Sequence, residues 1–184
     1  QPCLDFTTEQ LARLKCPVVM ITGNHDCMAD YSVYHRYDPR DAGAHVTFLQ
    51  EESGSVCRLE DYGVTIWGRG IVDHHPGHKP LESVPRHEHE GWYLGMTHGY
   101  YVDRGAEMFS SLITPSEIEE SQFDYLALGH VHVFSIMQHG KTIAAYPGSP
   151  NLGQGAKEMS VALVDLDPMQ GVTVEKISLL PGAA

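Results

Sequence analysis

Residues 23–26, with the sequence Gly-Asn-His-Asp, directly follow the apolar run of residues 17–22. The amide oxygen of Asn24, the imidazole of His25 and the carboxylate of Asp26 suit metal binding and proton transfer near neutral pH. A buried strand that ends in Gly presents such side chains at the carboxyl edge of a sheet, where open α/β sheets bind ligands. The pattern therefore predicts a functional site at that edge.

Two more groups of histidines follow strand-like runs far along the chain. His98 ends the run of residues 92–97, and His130 and His132 follow the run of residues 125–128. If His130 and His132 lie in a strand, their side chains share one face. If they lie in a loop just past a strand, their side chains can diverge and bind two neighbouring metal ions. Imidazoles suit transition metals, and two ions about 4 Å apart can clamp a phosphate and activate a water. We expect the three strand ends to meet along one sheet edge.

The remaining pattern alternates helices and strands, which predicts an α/β fold in a single domain over residues 1–184. A helix is expected from Thr7, as its cap, to residue 15, and another over residues 115–122, with Thr114 as cap and Glu117 at the third position. The pattern predicts a hairpin for residues 56–59 and 64–68, and only strands in the last third of the chain.

Residues 70–90 carry five histidines and little periodicity, so we interpret them as a His-rich loop insertion.

Composition limits the classes of function. The chain of 184 residues has a formal charge of −12, from 24 acidic and 12 basic residues, which opposes binding to nucleic acid. No apolar run approaches the roughly 20 residues that span a bilayer, so no membrane partner is expected. Four cysteines without a C-x-x-C pair favour a reduced, cytoplasmic protein.

The ordered set of Gly-Asn-His-Asp at residues 23–26, His98-Gly99 and Gly-His-Val-His at residues 129–132 resembles the calcineurin-like metallophosphoesterases. The segment of residues 145–150, followed by Lys157 and Glu158 before a strand, is most similar to the SbcD-type DNA-repair exonuclease branch. The resemblance implies an α/β fold of the four-layer αββα sandwich type, in which two mixed β-sheets are flanked by helices.

The same resemblance implies roles for individual residues. Asn24, His98 and His130 would be ligands of one metal, and His132 a ligand of the other. His25 would be the catalytic acid and Asp26 its partner. The implied cofactors are two divalent ions, with Mn²⁺ preferred and Fe or Zn as alternatives.

The chain departs from the family in one respect. An Asp-x-His and a Gly-Asp-x-x-Asp motif precede the Asn-His motif in the family, and neither occurs in the first 22 residues. We therefore expect the first βαβ portion to lie outside this chain. Asp73-His74-His75 has the Asp-x-His spacing but follows the Asn-His motif. The favoured interpretation is that the histidines of the loop lie on the side of the site where substrate binds. They are His74, His75, His78, His87 and His89.

The leading hypothesis is a metal-dependent phosphoesterase that hydrolyses phosphodiesters through a two-metal centre with His25 as general acid; a nuclease acting on DNA is one form of it. Hydrolysis of a small phosphodiester or nucleotide is the alternative within the enzyme class. A non-catalytic scaffold of the same fold that binds partner proteins is the alternative outside it, and a metal store in the His-rich loop is a third idea. A partner subunit or a homodimer is compatible with each hypothesis.

Overall fold

The computed structural model describes residues 2–88, 90–103, 111–152 and 158–179. Two α-helices occur in these residues, α1 (Pro2–Ala12) and α2 (Pro115–Ser121). Neither is long and apolar enough to span a bilayer. His89 of the His-rich loop and Lys157 of the exonuclease-like segment lie outside the described residues.

The described residues form twelve strands. They are β1 (Val18–Met20), β2 (Val46–Phe48), β3 (Ser55–Leu59), β4 (Val64–Arg69), β5 (Trp92–His98), β6 (Tyr100–Tyr101), β7 (Leu112–Ile113), β8 (Tyr125–Gly129), β9 (Ser135–His139), β10 (Thr142–Tyr146), β11 (Ser160–Asp167) and β12 (Gly171–Ser178).

The main sheet has six strands in the order β3-β4-β5-β8-β10-β9. Its four inner strands are parallel, and β3 and β9 pair antiparallel at its edges. The register places His98, the last residue of β5, opposite Gly129, the last residue of β8. The carboxyl ends of these two strands therefore lie side by side, as the sequence predicted.

The core is built on the inner strands of this sheet. Trp67 of β4 and Tyr93 of β5 are almost fully buried and lie 6.0 and 4.6 Å, between ring centroids, from the buried Phe123 ring. Gly95 of β5 leaves the space that Phe123 fills, since a Cβ there would come within 2.5 Å of its ring. Burial of these aromatic side chains fixes β5, and with it the position of His98.

The α/β class is confirmed, with few helices and several sheets. The other strands form separate pairs among the described residues: β1 with β2, β6 with β7, and β11 with β12. The hairpin of β3 and β4 agrees with the prediction, and no helix or strand occurs in residues 70–88.

The predicted start of the first helix at Thr7 is wrong. The Thr7 and Thr8 hydroxyls donate to the carbonyls of Cys3 and Leu4, one turn earlier, instead of capping free amides. The two threonines therefore lie inside the helix, where such back-bonding is the usual alternative to capping.

The capping box predicted for α2 is present and gives a stability test. The Thr114 hydroxyl accepts from the Glu117 N–H, and the Glu117 carboxylate accepts from the Thr114 N–H. We expect Thr114→Ala to lower the free energy of unfolding by about 1 kcal/mol in urea denaturation. Glu120→Ala, on the exposed side of the same helix, is the control and should change it little.

Candidate active site

A buried polar contact brings the end of β1 to the main sheet. Thr22, 1% exposed, donates its hydroxyl proton to the Ile71 carbonyl at 2.7 Å, and the Ile71 N–H donates to the Thr22 carbonyl at 3.3 Å. Gly70, just past β4, has no side chain to block this approach, because a Cβ there would overlap Thr22. The loop after β1 is thereby held at the carboxyl edge of β4 and β5.

Asn24, His98 and His130 meet at this edge. The Asn24 Oδ1 lies 2.7 Å from His98 Nε2 and 3.4 Å from His130 Nδ1. The two imidazole rings cross at 76° with centroids 5.3 Å apart. Three of the four predicted metal ligands, from three separate strand ends, thus lie together, with the two imidazoles meeting at the Asn24 oxygen.

Two glycines and one unusual backbone conformation make room for this cluster. A Cβ on Gly23 would lie 2.8 Å from His98 Cε1, and a Cβ on Gly129 would lie 2.6 Å from His98 Nδ1. His130 has a φ of +109°, which residues with a side chain rarely adopt. Such strain persists only where the surroundings impose it, and it concentrates at functional sites.

Asp26 holds the loop that carries Asn24 and His25. Its Oδ1 accepts from the Gly23 N–H at 2.6 Å, and its Oδ2 accepts from the Tyr34 hydroxyl at 2.7 Å. Burial, and then this hydrogen bond to Asp26, raise the pKa of Tyr34 well above its usual value. Both carboxylate oxygens are therefore engaged elsewhere than at His25, and the predicted pairing of His25 with Asp26 stays a prediction.

His25 and His132 flank the cluster without joining it. The His25 side chain is exposed, and the Nδ1 of His132 is buried without a hydrogen-bond partner. Both act on the cluster electrostatically, since each contributes to lowering the pKa values of His98 and His130. The roles predicted for them stay predictions.

The two central imidazoles are held in the neutral form. Burial, and then the neighbouring His130, lower the pKa of His98 to about 4. Burial, and then His132, lower the pKa of His130. A neutral imidazole has a free lone pair, which is the form that binds a metal.

A cavity of 120 Å³ opens at the cluster. Its lining residues are Asn24, Ile71, Asp73, His74, His75, His98, Ser111 and His130. Asp73, His74 and His75 come from the His-rich loop, and Ser111 from the segment before β7. Sequence reasoning missed Tyr34 and Ser111, for which no local pattern exists. It placed the loop histidines on the substrate side without linking them to Asn24.

Asn24 adds an amide oxygen to the nitrogens of His98 and His130, and donors of these two kinds are found in sites for divalent ions. No three His, Cys, Asp or Glu side chains among the described residues form a cation site. Ligands about 2.1 Å from one ion and at right angles to each other lie about 3 Å apart. Two of the three donor pairs are close to this value, because Asn24 Oδ1 lies 2.7 Å from His98 Nε2 and 3.4 Å from His130 Nδ1.

Comparison with known proteins identifies the family of this chain. Residues 3–169 match the family model described as a calcineurin-like phosphoesterase superfamily domain. The chain belongs to this superfamily. Membership in the calcineurin-like phosphoesterases implies metal-dependent hydrolysis of phosphoesters.

A solved structure shares the fold. The crystal structure of the protein TT1561 of Thermus thermophilus superimposes with a TM-score of 0.53 at 12% identity, over 95% of this chain and 79% of that chain. At this identity the likeness concerns the fold alone. No match was found among curated proteins.

The space beside His98 can be tested at Gly129. Gly129→Ala places a Cβ 2.6 Å from His98 Nδ1 and must displace the ring from Asn24. We expect Mn²⁺ affinity, measured by calorimetry, to fall at least about ten-fold, as for loss of a group that orients ligands. The near-UV circular dichroism spectrum should stay close to that of the unchanged protein. An unchanged Mn²⁺ affinity would contradict the role of Gly129 in placing the His98 ring beside Asn24.

The lowered pKa of His98 predicts a pH-dependent stability. Because the folded pKa of about 4 lies below the ordinary 6.5, the unfolded chain binds one more proton in this window. In EDTA, the free energy of unfolding should therefore decrease as the pH is lowered from 6.5 to about 4. His98 should contribute up to about 1.4 kcal/mol per pH unit to this decrease. Urea denaturation of His98→Gln should show a shallower slope; equal slopes would contradict the assignment.

Proposed function

We propose that the protein is a divalent-metal-dependent phosphodiesterase whose active site is the cluster at the carboxyl ends of β1, β5 and β8. The observation that carries the proposal is the convergence of His98 Nε2 and His130 Nδ1 on Asn24 Oδ1 at 2.7 and 3.4 Å. Neutral imidazoles and an amide oxygen form a donor set for first-row transition metals.

Asn24, His98 and His130 would hold one ion, and His132 would contribute to a second. The unpartnered, buried Nδ1 of His132 supports that assignment, because a buried polar atom needs a partner. When bound, such ions polarise the phosphoryl group and lower the pKa of an attacking water. Mn²⁺ is the proposed metal, with Fe and Zn as alternatives.

His25 is the proposed general acid. It follows the ligand Asn24 directly, its side chain is exposed at the site, and an imidazole suits proton transfer near neutral pH. It would donate its proton to the leaving oxygen of the diester. Asp26 supports this role by holding the loop through the Gly23 N–H and the Tyr34 hydroxyl.

A small phosphodiester is the favoured substrate class. The net charge of −12 opposes long-range attraction of DNA, and a cavity of 120 Å³ accommodates a small group. A nuclease activity of the SbcD type rests on the resemblance of residues 145–150, where Gly148, at a φ of +81°, packs against Ser160. Activity on single-stranded DNA, assayed beside a small diester, separates the two.

The test compares variants in turnover of bis(p-nitrophenyl) phosphate and in Mn²⁺ content. We expect His25→Ala to keep its metal and lose at least about a hundred-fold in kcat, the usual worth of an acid catalyst. Asn24→Ala should lose both metal and turnover. His139→Ala, a histidine of β9 that stacks on Tyr101, is the control and should behave like the unchanged protein.

Two outcomes would contradict the proposal. One is turnover by His25→Ala at the rate of the unchanged protein, which would exclude the assigned acid. The other is an unchanged protein that neither binds Mn²⁺ nor hydrolyses the diester, which would favour a scaffold that binds partner proteins.

A further inference from the structure

The His-rich loop contributes to the same cavity as the metal-type donors. Asp73, His74 and His75 line it together with Asn24 and the two central histidines. All three loop residues are exposed to solvent. Their position raises the question of what they bind.

The hydrogen bonds of His75 determine which of its nitrogens carries a proton. The Gly77 N–H donates to His75 Nδ1 at 3.0 Å. A nitrogen that accepts a backbone N–H has a free lone pair, so the proton of the neutral ring is on Nε2. His75 therefore presents Nε2–H as a hydrogen-bond donor.

This arrangement argues against a metal site made by Asp73 and His75. Binding of a metal through Nε2 requires the proton on Nδ1, where the Gly77 N–H already donates. The Asp73 Oδ1 accepts from the His75 N–H at 3.0 Å in a local turn. The Asp-x-His spacing is thus used to shape the loop.

Gly77 keeps the His75 ring in place by close approach. A Cβ at Gly77 would lie 3.1 Å from both Cε1 and Nδ1 of His75. The backbone turn of Asp73 fixes one side of His75 and the Gly77 amide fixes the other. The residue is thus held through its backbone N–H and through its ring Nδ1, and an imidazole oriented before any ligand arrives reduces the entropy cost of binding.

We propose that His75 is a substrate-binding residue whose Nε2–H donates to a non-bridging oxygen of the phosphate. The inference rests on the proposed function and deepens it by naming a contact outside the metal ligands. A phosphate oxygen accepts hydrogen bonds, and a bond from a neutral N–H to a charged acceptor is among the stronger kinds. The loop thus recognises the phosphate group that the diester carries.

The experiment uses the full chain loaded with Mn²⁺ and titrates inorganic phosphate by calorimetry. His75→Leu removes the donor, and His75→Gln keeps an amide N–H near the Nε2 position. Lys79→Ala, in the same loop with an exposed side chain, is the matched control for loss of a loop side chain. Each variant is also assayed for Mn²⁺ content, KM for bis(p-nitrophenyl) phosphate and midpoint of urea unfolding.

We expect His75→Leu to bind phosphate at least about ten-fold more weakly, with a raised KM and unchanged Mn²⁺ content. His75→Gln should stay within about three-fold of the unchanged protein, and Lys79→Ala should match it. Ring ¹⁵N spectra should show Nδ1 of His75 unprotonated.

Equal phosphate binding by His75→Leu would overturn the proposal. Loss of one Mn²⁺ per chain in that variant would also overturn it, in favour of a ligand role. If the unchanged protein binds phosphate but does not hydrolyse the diester, the proposed function fails while the titration still decides the role of His75. If it binds no phosphate, the role of His75 fails as well.

Discussion

The contact between His98 Nε2 and Asn24 Oδ1 joins residues 74 apart in the chain, and the candidate site depends on it. One residue ends the central strand β5, and the other lies in the loop after β1, which belongs to a separate pair of strands. Thr22 and Ile71 bond that loop to the chain after β4, which holds Asn24 beside the end of β5. Backbone pairing thus sets the distance, and the side chains meet as a result.

The same contact explains why glycines border the site. The His98 ring lies between Gly23 and Gly129, and a methyl group on either would displace it. Each Gly precedes a residue of the cluster, so the glycines of the motifs Gly-Asn-His-Asp and Gly-His-Val-His both make room for the His98 ring. Packing in the two loops is therefore coupled through His98.

The α/β class and the polar residues at the ends of β1, β5 and β8 could be predicted from the sequence, because an apolar run followed by polar residues marks the end of a buried strand. The contacts that depend on tertiary placement could not. Tyr34 carries no local sign that its hydroxyl reaches Asp26, eight residues earlier. Thr7 is a residue type that often caps a helix, yet the helix begins earlier, at Pro2. The His75 tautomer is a third case, since only the amide of Gly77 reveals which ring nitrogen is free.

The charges in and around the cavity limit which ligands it can bind. No Lys or Arg lines the cavity among the described residues, and the pKa values of His98 and His130 are lowered, so these imidazoles are neutral. The chain as a whole carries −12. The proposed phosphodiester would meet neutral imidazoles and the Asp73 carboxylate there, so its charge would have to be balanced by bound cations. The lowered pKa values leave the imidazole lone pairs available to a cation, and the net negative charge of the chain attracts cations in general.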